Sequence, residues 1–371
     1  MKKYLLLSII SIIYSAASTR CAAQVLDPYE VPVDARSASL GEGFVAIASS
    51  PAGMFYNAAG LAQLQGTEAQ YGYRTFPVST PNSVSNYTNY SATLGSSLFG
   101  GFGVSYSTHI YDNPTIPVYN RDSQIIANNY NETSTILQIG YANHLSPTMD
   151  AGVMFGYSHR NISGLLGSAE WLDFGIRYHE SLLKSRVPDE FSFGLSLTHI
   201  GSPIEYNDAI GSTETLPRTL RAGFAWHIAQ PDTSWIANQF LSVLITGQYK
   251  DVLNQLNPGA IGYLGEENPN AKGYWSIGIE TGAWDILFFR YGLLYRPYNS
   301  VYSNANNEQN SLGGGIKLPV HRLLSISTPV YLTFDYDAGY LLAGGHENIV
   351  TAGIHILNDF FPPQPQQDMQ Q

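Results

Sequence analysis

Through most of this chain, apolar residues alternate one by one with small or polar ones. Phe102, Val104 and Tyr106 share one parity, and Gly103, Ser105 and Ser107 the other. Leu172, Phe174, Ile176 and Tyr178 oppose Asp173, Gly175, Arg177 and His179. Further on, Leu220, Ala222, Phe224, Trp226 and Ile228 oppose Arg221, Gly223 and His227. Near the end, Val330, Leu332, Phe334, Tyr336 and Ala338 oppose Thr333, Asp335, Asp337 and Gly339. Successive side chains of a strand point to opposite faces, so this period of two predicts strands. Fourteen such segments begin near Thr67, Tyr87, Phe102, Glu132, Met149, Ala169, Glu190, Arg218, Phe240, Gly273, Ile286, Ser311, Val330 and Asn348. The predicted class is all-β.

Alternation alone does not say which face meets solvent, because a soluble sandwich would hide its apolar face. The connections discriminate. Odd-numbered ones are mostly long and even-numbered ones mostly short; the third long-side connection, near Ile162 to Ser168, and the last are exceptions. Long external loops alternate with short turns in this way in outer-membrane barrels. The expectation is a 14-stranded antiparallel transmembrane β-barrel over residues 67–361, followed by a disordered Pro/Gln-rich tail at 362–371.

Composition sharpens this picture. Charged residues are 13% of the chain, tyrosines (26) outnumber lysines plus arginines (18), and glycines reach 35. Few charges with many aromatics suit a lipid-facing β wall. A net charge of −11 argues against nucleic-acid binding, which needs a basic surface. The single cysteine is Cys21, inside what reads as a secretory leader at 1–23: Lys2 and Lys3, an apolar run from Tyr4 to about Ser18, and cleavage after Ala23. With no cysteine beyond the leader, disulfides, thiol nucleophiles and cysteine-ligated metals are excluded.

Residues 24–66 precede the first strand. A barrel of 14 strands encloses more volume than its own side chains fill, so this segment is the natural occupant of the lumen. Gly41, Gly43, Gly53 and Gly60 allow tight reversals and close backbone approach. Pro51 suits the start of a short helix, and Asn57 suits the cap of a turn over Ala58 to Leu61. The expected result is a short, partly helical plug.

Three pieces of this segment carry a family resemblance: Asp34-Ala35-Arg36-Ser37-Ala38, Leu40-Gly41-Glu42-Gly43-Phe44-Val45-Ala46 and Phe55-Tyr56-Asn57-Ala58-Ala59-Gly60-Leu61-Ala62. They resemble the plug of the outer-membrane family that holds the FadL long-chain fatty-acid transporters and the PorV/PorQ proteins of type IX secretion. That family commonly has proline after the asparagine, where this chain has Ala58. The resemblance implies the outer membrane of a Gram-negative bacterium, with its lipid as a neighbour. It implies an accessory of type IX secretion, binding translocon subunits or secreted cargo through loops near Tyr111 to Tyr130 and Leu253 to Leu264. The alternative is a passive transporter of hydrophobic or amphipathic small molecules.

Phe44, Met54, Phe55, Tyr56, Asn57 and Leu61 are the plug residues expected to pack on the wall or border a ligand. Asp173, Arg177, Glu280, Arg290, Lys317, Asp335 and Asp337 are expected to face the lumen as a polar network, since charge on the lipid face costs about 2–4 kcal/mol at mid-depth. The scattered histidines read as lining or rim residues rather than metal ligands, and no cofactor is expected. No Gly-x-Ser-x-Gly elbow, Walker loop or His-Glu-x-x-His helix occurs, so no enzyme is expected.

Overall fold

A computed structural model describes residues 28–357 apart from 30, 48–49, 77–82, 97, 114–117, 120–124, 128, 184–186, 208–212, 232–238, 254–272, 296–307 and 341–345. The expected leader and the Pro/Gln-rich tail lie outside these residues, as do most of the loops near Tyr111 to Tyr130 and Leu253 to Leu264.

Fourteen antiparallel strands close into a barrel: β1 (Gly66–Thr75), β2 (Val84–Ser96), β3 (Gly100–Asn113), β4 (Tyr130–Ser146), β5 (Met149–Ile162), β6 (Leu165–Glu180), β7 (Asp189–Gly201), β8 (Thr219–Pro231), β9 (Gln239–Val252), β10 (Tyr274–Ala283), β11 (Leu287–Tyr295), β12 (Glu308–Pro319), β13 (Val330–Tyr340) and β14 (His346–Ile356). Each pairs with its chain neighbours, and β14 closes on β1 with Thr67 opposite Ile356. The largest gap between an expected and an observed start is at β6, where Leu165 opens the strand rather than Ala169. There the third long-side connection shrinks to a two-residue turn. Ser163 (φ 50°) and Gly164 (φ 97°) both take left-handed backbone, which matches the twist of a tight hairpin.

The wall is inside out relative to a soluble protein. Phe102, Val104, Tyr106, Leu172, Phe174 and Ile176 are exposed, and Phe289 reaches 68% exposure. Their strand neighbours Ser105, Ser107, Asp173 and Arg177 are buried toward the lumen. A soluble sandwich would bury the first set and solvate the second, so the wall's apolar outer face is built for lipid.

The lumen holds the N-terminal segment. Helix α1 (Ala35–Ser39) is followed by a reversal at Gly41 and Glu42, both with positive φ. A second helix, α2 (Gly53–Tyr56), leads to a 3₁₀ turn (Ala58–Gln63) and then directly to β1. Inward-facing glycines meet this segment around the ring. A β-carbon on Gly72 would overlap Val33, on Gly95 Leu64, on Gly101 Leu61, on Gly152 Ala58, on Gly194 Val45, and on Gly292 Gly41. Part of the chain's glycine content therefore serves close packing of plug backbone against wall backbone, rather than turns.

One irregularity shapes the long-loop end. Between β6 and β7 the register shifts around Asp173, so that Thr198 and His199 oppose one residue. The Asp173 carboxylate accepts the His199 backbone N–H at 2.6 Å, and His199 has φ 59°. Such a bulge bends a strand and re-aims its side chains. Beyond it, Ile204–Tyr206 pairs with β6 and with Thr213–Glu214. Ile204, Tyr206 and Glu214 are all buried, and Arg160 Nη1 reaches both Glu214 oxygens at 2.8 Å.

Candidate functional site: the plug and the cavity beside it

Two side chains set the plug's local structure. Asp34, with extended backbone, caps α1: its carboxylate accepts the Ser37 backbone N–H at 2.9 Å and the Ser37 hydroxyl. This helix is not expected from the sequence. Asn57 caps the 3₁₀ turn as expected, its Oδ1 accepting the Ala59 N–H at 3.1 Å. The same side chain does more. Its Nδ2 donates to the Val45 carbonyl at 2.8 Å and to the Ile176 carbonyl at 3.0 Å. One buried amide therefore joins two parts of the plug to strand β6.

The wall grips the plug through backbone acceptors as well. Thr246 donates to Gly43 O (2.6 Å), Ser196 to Tyr56 O (2.6 Å), and Ser192 and Arg177 to Ala46 O (both 2.9 Å). These bonds satisfy carbonyls that no regular secondary structure satisfies, which a buried irregular segment requires.

The expected lumen residues all face inward, but they do not form one network. Glu280, Arg290 and Asp335 come together. Arg290 Nε lies 2.5 Å from Glu280, and its Nη1 lies 2.5 Å from Asp335. The fourth member is Arg36 of the plug, whose Nε and Nη2 take both Glu280 oxygens at 2.8 Å. The four alternate in sign, so the buried charges balance. Burial acts to lower the Arg36 pKa, but the Glu280 charge and hydrogen bonds outweigh it and raise the value above the usual arginine range. The other expected residues have different partners. Arg177 meets Ala46, Glu190 and Asp150, and Lys317 meets Asp285 at 3.0 Å. Asp337 accepts from Ser311 at 2.6 Å, while Asp173 holds the bulge.

The expected plug residues divide likewise. Phe44 is fully buried with its ring centroid 5.4 Å from that of Tyr56. Met54 and Leu61 pack with Ala142 and Met154 of the wall. Phe55 and Tyr56 instead border a small pocket, with about 30 Å³ of free volume. Its other walls are Pro28, Tyr29, Val31, Val33, Tyr87, Ile136 and Trp171, with Glu42, Gln138, His199 and Arg221 as polar members. Tyr29, Trp171 and His199 stand edge to face at 5.4–5.7 Å between ring centroids. Tyr29 also donates to Ser158 at 2.7 Å. The Gln138 side chain is buried, and its Oε1 has no hydrogen-bond partner among the described residues. The lining mixes apolar and polar groups, as sites for small amphipathic molecules do, but a ligand larger than water fits only if the plug or its neighbours shift.

No family model matches the chain, and no curated protein matches it. Solved structures do. Two of the Pseudomonas putida toluene transporter TodX align over 91% and 89% of this chain and 100% and 99% of theirs, at 10% identity and TM-score 0.50. The fold is that of the TodX barrel. The Ralstonia pickettii toluene transporter TbuX aligns over 88% of this chain and 97% of its own at 13% identity, with TM-score 0.48. At such identities the likeness is one of fold, and the residues of the cavity have to be argued from this chain alone.

Sequence reasoning misses Tyr29, Trp171, His199 and Arg221 as cavity residues, and Arg36 as the plug's charge partner. One signal was available. Trp171 shares the parity of Asp173, Gly175 and Arg177, an aromatic on an otherwise small and polar face. The bulge that turns His199 toward it carries no such mark.

Proposed function

We propose that this chain is an outer-membrane barrel that carries a hydrophobic or amphipathic small molecule, which binds in the aromatic cavity beside the plug. The observation that carries the reading is the small aromatic pocket lined by Tyr29, Phe55, Tyr56, Ile136 and Trp171 with Gln138 facing in, which widens to hold a solute only when the plug shifts. The apolar outer wall supports membrane residence, and the TodX-like fold supports the transport class. Passage is passive and requires the plug to move, because the glycine ring and the Asn57 and Arg36 contacts seal it to the wall.

Trp171 offers the test. In a full-length chain refolded in detergent with its other tryptophans changed to phenylalanine, toluene or a medium-chain alcohol should change Trp171 fluorescence and saturate. Ile136→Trp, built on the same background with Trp171→Phe, should lose most of the affinity by filling the space. A response that rises linearly with ligand would reflect partition into detergent and would overturn the reading.

A second reading keeps the barrel closed and gives the work to its loops: the PorV/PorQ role, binding type IX cargo or translocon subunits. The completeness of the plug's seal favours it, as does the motif from Asp34 to Ala62. Pull-down of secreted cargo by the full chain, lost on shortening residues 254–272, would move the weight to this role.

A further inference from the structure

His144 at the end of β4, Asp150 at the start of β5 and His179 at the end of β6 converge at the short-turn end of the barrel. One ligand atom from each lies within 4.8 Å of the other two. His144 Nδ1 is 2.7 Å from Asp150 Oδ1, and His179 Nε2 is 3.5 Å from Asp150 Oδ2. Gln63, the last residue of the plug's 3₁₀ turn, reaches in, its Nε2 lying 2.8 Å from both Asp150 Oδ2 and His179 Nε2.

We propose that His144, Asp150 and His179 form a binding site for a divalent transition metal of the zinc class. Donor chemistry selects the ion: two imidazole nitrogens and one carboxylate suit zinc, whereas calcium and magnesium want oxygen alone. Donors of a tetrahedral zinc, each about 2.0–2.2 Å from the ion, stand roughly 3.3–3.6 Å apart. The three atoms here lie within 4.8 Å of one another, and binding an ion requires side-chain rotations that part His144 from Asp150 and release the His179 Nε2 contact with Gln63. Burial is graded in the useful sense. Asp150 is fully buried, His179 mostly so, and His144 is a third exposed, which leaves an entry path on the His144 side.

The outer contacts are also in place. Asp150 Oδ2 accepts from Gln63 and lies 3.5 Å from Arg177 Nη1, which leaves Oδ1 turned to His144. The Arg177 guanidinium is drawn off by the Ala46 carbonyl and Glu190, which limits its repulsion of an ion. Partners that orient a ligating carboxylate in this way are typical of metal sites. An ion here would bridge three wall strands beside the point where the plug's last turn meets them.

The test uses the full-length chain, free of any histidine tag, refolded in detergent and stripped with a chelator. Zinc titration should load a single ion per chain that survives desalting, and Co²⁺ should give the intense visible absorption of a four-coordinate site, displaced by zinc. His144→Ala and His179→Ala should each weaken binding by more than the ~10–100-fold typical of an outer-shell loss. His159→Ala, an exposed position on β5, should bind like the parent chain. Folding of each variant is checked by its gel shift before and after boiling, and His144→Gln stands in if the alanine variant fails to fold. No retained ion in the parent chain, or equal binding by the His179 variant, would overturn the site and leave the cluster as a hydrogen-bonded contact between plug and wall.

Discussion

The Leu61 carbonyl of the plug lies against the α-carbon of Gly101 on β3, so closely that a β-carbon at 101 would overlap it. Backbone sits on backbone there, and the neighbour cannot rotate away as a flexible side chain would. Gly101→Ala should therefore loosen the plug, at a cost of about 1–3 kcal/mol as for other overpacked sites. Hydrogen exchange should report the change as faster labelling over residues 58–65 while the strands stay protected. Unchanged protection of the turn would mean the plug is not held at this point.

Asn57 bonds to both parts of the plug and to β6. Asn57→Ala removes a cap worth about 0.5–2 kcal/mol. It also leaves the Val45 and Ile176 carbonyls without that donor, at about 1–3 kcal/mol for each one left unsatisfied. The expected phenotype is an intact barrel whose N-terminal segment is cut at low protease concentration. Resistance equal to the parent chain would show that the remaining contacts suffice.

Glu280 lies between two guanidiniums, Arg36 and Arg290. Glu280→Gln should be the more damaging of two related substitutions, because it leaves adjacent buried cations, and breaking a buried pair costs about 3–5 kcal/mol. Arg36→Met should cost less, since Glu280 keeps Arg290. Urea unfolding of the two variants side by side checks the order; the reverse order would contradict the charge balance described here.

How far this arrangement could be read from the chain depends on the range of each interaction. Strands were legible because the period of two is local: the parity of Phe102 or Leu172 separates the two faces of the wall, and the alternation of long and short connections assigns them to lipid and lumen. The Asn57 cap was legible for the same reason. Arg36 with Glu280 was not, because the two are 244 residues apart and meet only after the barrel closes around the plug. His144, Asp150 and His179 share no motif spacing; they converge because three strands end together. The bulge at Asp173 leaves no periodic trace, so the turning of His199 toward Trp171 was invisible.

Ile139, exposed on the outer face of β4, separates a membrane wall from a soluble one. In water an exposed substitution there would change stability by no more than ~0.5 kcal/mol. Against lipid, Ile139→Lys should cost about 2–4 kcal/mol near mid-depth. Equilibrium unfolding in vesicles measures the difference, and a neutral result would place this face in water.

Movement of the plug is the claim on which transport depends, and the described residues contain no cysteine to interfere with locking it. An ideal β-carbon on Gly43 of the plug falls 3.1 Å from Thr246 Cγ2 of β9, within the reach from a β-carbon to the far sulfur of a disulfide, so Gly43→Cys with Thr246→Cys can tie the plug to the wall. The measurement is uptake of a small amphipathic solute into vesicles containing this double variant, oxidised and then reduced. The account predicts uptake by the parent chain, none by the oxidised variant, and recovery on reduction. Equal uptake by the oxidised and reduced forms, or none by the parent chain, would contradict it.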